Sequence, residues 1–143
     1  MTPRPGPTPY RAPRWLVGGH AQTVWPYGLR RARVELRRER VETPDGDFWE
    51  FDWLDAGERP DAPIVVLFHG LEGGSGSHYA RALFTALQHI GWRGVIPHFR
   101  GCGGEPNRLP RAYHSGDHAE VGAMLEAVRA RIDPATRAYA VGV

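Results

Sequence analysis

Five consecutive apolar residues, Ile64-Val65-Val66-Leu67-Phe68, end abruptly at His69-Gly70. Three of the five are β-branched, and no polar residue interrupts them. They predict a short strand covered on both faces, as in a parallel sheet with helices on each side. The Gly/Ser-rich stretch 70–77 then turns the chain out of that strand. The rest of the sequence has to be compatible with such a sheet.

It is. Residues 33–41 alternate only roughly, with Val34, Leu36 and Val41 as apolar members, and predict an exposed strand. Thr43-Pro44-Asp45-Gly46 is a turn signal. Residues 47–54 put Phe48, Glu50, Asp52 and Leu54 on one parity and Trp49, Phe51 and Trp53 on the other, the period-two pattern of a strand with an aromatic face. The two runs predict an antiparallel hairpin, and 55–62 a polar loop. Ala80, Leu83, Phe84, Leu87 and Ile90 recur at helical spacing, with Ser77 as N-cap and Gly91 as stop. Residues 94–97 predict the next strand, with Pro97 at its end, and 101–107 a second Gly-rich loop. Asp117 is an N-cap with Glu120 in capping-box position. Val121, Met124, Leu125, Val128 and Ile132 form a second helical stripe that Asp133-Pro134 ends, and 138–143 is a last β-type run. The predicted fold is α/β: an antiparallel hairpin followed by a parallel βαβαβ series with right-handed crossovers and helices on both faces.

Residues 1–13 hold five of the 13 prolines and predict a poorly ordered N-terminus. Residues 14–143 read as one partial domain. Trp15, Leu16, Val17, Val24 and Trp25 are candidates for packing on its core, while the segment 19–23 has no assigned role. Trp15, Trp25, Trp49 and Trp53 read as packing residues rather than a sugar platform.

Charge gives little direction. Eighteen basic residues, all Arg, face 16 acidic ones for a net +2. The absence of Lys reads as codon composition, since Lys serves phosphate contacts too. Arg30, Arg31, Arg33, Arg37, Arg38 and Arg40 form the one candidate nucleic-acid stripe, but Glu35 and Glu39 interrupt it and no reading motif accompanies it. No nucleic-acid partner is expected. The single cysteine, Cys102, excludes an internal disulfide and fits a reducing compartment. No apolar leader follows Met1, and the 64–68 run is far too short to span a bilayer, so a cytoplasmic chain with no integral membrane segment is the expectation.

The chemistry is concentrated at Phe68-His69-Gly70-Leu71-Glu72-Gly73-Gly74. Glycines at the carboxyl end of a buried strand let the backbone approach a substrate closely, and an N–H there can face a developing oxyanion. Leu71 is the candidate donor, with His69 and Gly70 shaping the loop. A plain Gly-rich turn is the alternative. A phosphate cradle fails, because no Gly-Lys-Ser/Thr follows and the glycines do not give G-x-G-x-x-G. The final Gly142-Val143 matches the first two positions of a nucleophile elbow, G-x-S-x-G, in the third strand of the parallel series. His114 and His118 have a metal-ligand spacing, but a helix start falls between them and no third ligand is apparent, so neither a metal nor any cofactor is expected.

Taken together, Trp15-Leu16, Gly19-His20-Ala21-Gln22-Thr23, Thr43-Pro44-Asp45-Gly46-Asp47, His69-Gly70-Leu71-Glu72-Gly73, the 99–107 loop Phe99-Arg100-Gly101-Cys102-Gly103-Gly104-Glu105-Pro106-Asn107 and Tyr113-His114-Ser115-Gly116 resemble the YheT-like α/β-hydrolases. The resemblance runs from about residue 13 to the end. It implies a serine esterase or lipid-ester hydrolase at least twice this length. It also implies that Ser, then Leu-Gly-Gly or similar, follows Val143, with acid and His later still. The chain is then the N-terminal portion of the fold, inactive alone, and no triad residue lies within it. The resemblance carries over the oxyanion loop of His69, Gly70 and Leu71, and an ester as the small-molecule partner. It assigns nothing catalytic to His20, His114 or Cys102. Two alternatives stay open: a hydrolase-like scaffold without catalysis, and a basic module. Oligomeric state is not legible.

Overall fold

The computed structural model describes residues 11–28, 34–55, 61–114 and 116–143. It divides into two compact units, Met1–Arg31 and Ala32–Val143.

In the first unit, helix α1 runs over Gly19–Gly28. Gly18 enters it with a left-handed φ of 84°, a conformation open to glycine at no steric cost. Thr23 Oγ1 donates to the Gly19 carbonyl at 2.9 Å, so the segment 19–23 is a helix start. Trp15, Val17, Val24 and Trp25 are exposed, contrary to the core packing their apolarity predicts. The two indoles instead cover each other edge to face, with centroids 4.9 Å apart.

The second unit is built on a sheet of strands β1 (Arg37–Glu42), β2 (Phe48–Leu54), β3 (Ile64–Phe68), β4 (Arg93–His98) and β5 (Ala138–Gly142), in the order β1-β2-β4-β3-β5. β1 pairs antiparallel with β2, and β2 antiparallel with β4. β3 lies parallel between β4 and β5. The hairpin and the parallel series of the sequence are thus joined by a β2–β4 ladder in which Phe51 faces Pro97. Pro97 lies one residue inside the strand end. The parallel ladder with β3 has its last pair at Val66 and Val95, so the missing N–H of Pro97 falls beyond it. The first strand starts at Arg37; Arg33 lies outside the described residues, and Val34 and Leu36 pack from outside the ladder.

Helices α2 (His78–His89) and α3 (His118–Arg129) cover opposite faces. Ala80, Phe84 and Leu87 of α2 pack on Leu54, Val65, Leu67 and Ile96. Met124 and Val128 of α3 pack on Trp49, Phe51, Trp53, Ile64, Val66 and Val95. Burial on both sides explains why β3 lacks alternation. Gly91, at φ 68°, ends α2 in the left-handed region. Ile90 sits past the last helical turn and is exposed instead of joining the apolar face. Ser77 holds the N-cap position, yet its hydroxyl accepts from the Gly74 N–H and caps no helical amide. Asp117 does cap α3, accepting from Glu120 N–H at 3.3 Å, but the Glu120 side chain does not complete the box; it turns into the core. Among the described residues no helix is long and apolar enough to cross a membrane.

Strand β2 departs from the expected one-sided burial, for all seven of its residues are buried. Its polar parity, Glu50 and Asp52, lies on the α2 face beside Arg38 and His98.

The α2 face leaves no room at Gly94, where a Cβ would sit 2.8 Å from Phe84 Cε1 and 2.9 Å from Cζ. Gly94→Ala should therefore lower stability by about 1–3 kcal/mol, the usual cost of overpacking. Urea unfolding measures it, and Phe84→Leu in the same protein should restore part of the loss.

Candidate active site

Strands β3 and β5 end side by side. Phe68 is in register with Gly142, and the Val143 N–H donates to the Phe68 carbonyl at 3.2 Å. A Cβ on Gly70 would stand 3.3 Å from the Val143 carbonyl oxygen, so the loop after β3 touches the end of β5 backbone to backbone. Beside this contact lies a cleft of about 430 Å³, within the range of small-molecule sites. Phe68, Leu71, Phe99, Tyr113 and Val121 give it apolar walls, and His114, Asp117 and His118 lie along its lining.

The loop that closes the cleft is fixed amide by amide. The Gly70 N–H donates to Tyr79 Oη at 3.1 Å, the Glu72 N–H to Tyr113 Oη at 2.7 Å, and the Gly73 N–H to the Gly70 carbonyl at 2.9 Å. Among the described residues the Leu71 N–H has no hydrogen-bond partner, and the residue is 86% exposed. Glu72 is held at φ 51°, a left-handed conformation that costs a non-glycine residue about 1–2 kcal/mol. A side chain at Gly73 would run into the Tyr79 hydroxyl and come within 2.9 Å of the Gly70 carbonyl.

His69 is buried in the floor of this loop. Its Nε2 accepts from the Phe99 N–H at 3.3 Å, which leaves the proton on Nδ1, and Nδ1 donates to the Gly70 carbonyl at 2.9 Å. Burial pushes its pKa down, and the nearby His98 adds to this against the Gly70 carbonyl. The ring is therefore neutral at neutral pH, with both nitrogens engaged. It meets Phe99 edge to face at 5.0 Å, and Phe99 stacks on Tyr113 with centroids 4.9 Å apart. Burial pushes the Cys102 thiol up, only partly offset by a hydrogen bond to Tyr113, which is unfavourable for a reactive thiolate.

A charge cluster around buried Arg100 holds the stretch from Phe99 to Tyr113 in place, a second one around buried Asp52 lies on the other face of the sheet, and neither is apparent in the sequence pattern. Arg100 lies 2.8 Å from Glu120, 2.9 Å from Asp45 and 3.0 Å from Asp47. Glu120 also accepts from Trp49 Nε1 at 2.6 Å and pairs with Arg111 at 2.9 Å. Burial pushes Asp47 up, but the Arg108 and Phe48 amides, Arg100 and Asn107 outweigh it and hold the carboxyl at about 2. On the other face Asp52 receives Arg38 at 2.7 and 2.8 Å and His98 Nε2 at 2.8 Å. Burial pushes Asp52 up, yet Arg38, His98 and Ser75 bring it well below the usual carboxylate range. The signal for these clusters is the acidic parity of β2 and the lone Arg in a Gly-rich loop; sequence alone does not show that they are buried together.

The described members of the cationic stripe are paired with carboxylates. Arg37 pairs with Asp55, Arg38 with Asp52 and Arg40 with Glu105; Arg30, Arg31 and Arg33 lie outside the described residues. Among the described residues no group of three or more His, Cys, Asp or Glu is placed to hold a metal.

Strand order, two-sided helices and a cleft at the carboxyl ends of β3 and β5 define an α/β-hydrolase framework. Residues 63–142 match the α/β-hydrolase fold family, and the chain belongs to it. It is 47% identical over 100 residues, 68% of the chain, to YheT of Escherichia coli (strain K12), a candidate esterase by its name. It is also 26% identical over 136 residues, 90% of the chain, to phospholipase ABHD3 of Homo sapiens. The chain spans 29% and 33% of the lengths of these two relatives. Among solved structures, an esterase of Pyrococcus furiosus superposes with a TM-score of 0.61 at 18% identity, covering 78% of this chain and 41% of that one. A serine hydrolase without lid from Xanthomonas campestris gives 0.57 at 20% identity, covering 77% and 51%.

The sign of the acid response follows from Asp47. Its folded pKa lies below its ordinary value of 3.8, so its contribution is fully present above pH 4 and is lost as pH falls toward about 2. Asp47→Asn should lose about 3 kcal/mol at neutral pH, since it leaves Arg100 short of a buried partner. It should also show a shallower fall in stability between pH 4 and pH 2 than the wild type, measured by denaturant titration at each pH.

Proposed function

We propose that the whole protein is a serine hydrolase that cleaves carboxylic esters through an acyl-enzyme, with a serine directly after Val143 as nucleophile. One observation carries this reading: the loop 69–71 meets the end of β5 beside a cleft, and the Leu71 N–H of that loop has no hydrogen-bond partner among the described residues. In an attack by a serine at the end of β5, the ester carbonyl oxygen takes up negative charge. The Leu71 N–H and the amide following the serine would hold that oxygen, as preorganised donors do in acyl transfer. The base that accepts the serine proton, and the acid that orients it, belong to segments beyond this chain. His69 is not that base, because its Nε2 is committed to Phe99. His69 and Gly70 shape the loop.

The walls of Phe68, Leu71, Phe99, Tyr113 and Val121 suit an apolar acyl group, so short- to medium-chain or lipid-like esters are the proposed substrates. The names of YheT and of the human phospholipase agree with this class. The lone thiol Cys102 suits a reducing, cytoplasmic setting. On this reading residues 1–143 alone hydrolyse nothing.

The test uses the whole protein with p-nitrophenyl esters of several chain lengths and a fluorophosphonate probe. Turnover and labelling of the serine after Val143 are expected; failure of both would sink the reading. Leu71→Pro removes the N–H and should lower kcat by about 100-fold or more. Leu71→Ala keeps the amide, and because the side chain is exposed it should stay within a few-fold of wild type.

A further inference from the structure

The three successive amides of the loop are treated unequally. The outer two, Gly70 and Glu72, each donate to a phenol oxygen, Tyr79 at 3.1 Å and Tyr113 at 2.7 Å. The middle one, Leu71, has no partner among the described residues. The two phenols arrive from different elements, Tyr79 from the first turn of α2 and Tyr113 from the stretch that leads to α3. We propose that Tyr79 and Tyr113 are positioning residues that clamp the oxyanion loop from both sides and so present the Leu71 amide to the reacting carbonyl oxygen.

Three features make the clamp more than incidental packing. Glu72 is held at φ 51°, a conformation that a free loop would leave, and its amide bond to Tyr113 opposes that relaxation. Tyr113 cannot swing away, because its ring stacks on Phe99 at 9° between planes and Phe99 in turn donates its N–H to His69. Gly73 has no room for a side chain, because the Tyr79 hydroxyl fills that space. Each phenol accepts an amide hydrogen that would otherwise have to find water or turn toward the cleft. A loop that turned Glu72 or Gly70 toward the cleft would displace the Leu71 N–H from the position the oxyanion needs.

The inference rests on the ester-hydrolase reading, and one experiment separates the two. The whole protein is compared with Tyr79→Phe, Tyr113→Phe and the double variant on a p-nitrophenyl ester, with hydrogen exchange of the 69–73 amides followed in parallel. Phenylalanine keeps the rings and removes the hydroxyls, which at Tyr113 also ends its hydrogen bond to Cys102. Each single variant should lose about five- to tenfold in kcat with KM within twofold and the melting temperature little changed. The double variant should lose more, and exchange should quicken at Gly70 in the first and at Glu72 in the second. An active wild type whose variants keep wild-type kcat would overturn the clamp alone. So would a loss that appears in KM and melting temperature together, the mark of a merely structural role. A wild type with neither turnover nor fluorophosphonate labelling would overturn the hydrolase reading and the clamp with it.

Discussion

The parallel pairing of β3 with β5 is the constraint on which the cleft depends. Its register sets Phe68 beside Gly142, and the Val143 N–H on the Phe68 carbonyl extends it by one more bond. A slip of one residue would reverse the faces of β5 and move its end away from the loop after β3. Gly70 makes the contact possible, because any side chain there would press on the Val143 carbonyl. The two helices enforce the arrangement from outside. With α2 on one face and α3 on the other, β3 is covered on both sides, which matches its uninterrupted apolar sequence.

The buried charges serve geometry more than stability. A buried ion pair commonly gives back in desolvation most of what it gains in attraction, so Arg100 among Asp45, Asp47 and Glu120 is a poor way to stabilise a core. What it does is join three distant stretches: the β1–β2 turn, the loop after β4 and the first turn of α3. Asp52, with Arg38 and His98, ties β1, β2 and the end of β4 together on the opposite face. The chain between Phe99 and Tyr113 has little regular structure of its own, and the first of these clusters fixes it. Phe99 and Tyr113 then support His69 and the loop that borders the cleft. Charge chemistry on one side of the sheet thus determines backbone placement at its edge.

The sequence by itself determined the elements of the second unit and their order, though not helix α1. An unbroken β-branched run placed β3, helical periodicity placed α2 and α3, Gly91 the end of α2, and Asp117 the start of α3, because local propensity and burial leave a trace in the chain. Tertiary structure alone decided how polar residues were spent. Glu50 and Asp52 read as the wet side of a strand and are buried; Glu120 reads as a capping partner and belongs to a core cluster; Trp15 and Trp25 read as core and are exposed. The same holds for the two tyrosines, whose hydroxyls meet loop amides 9 and 41 residues away. Such pairings have no period. They come from chain segments that only the closed sheet brings together, and a hydrogen bond depends on a few tenths of an ångström that no spacing rule encodes.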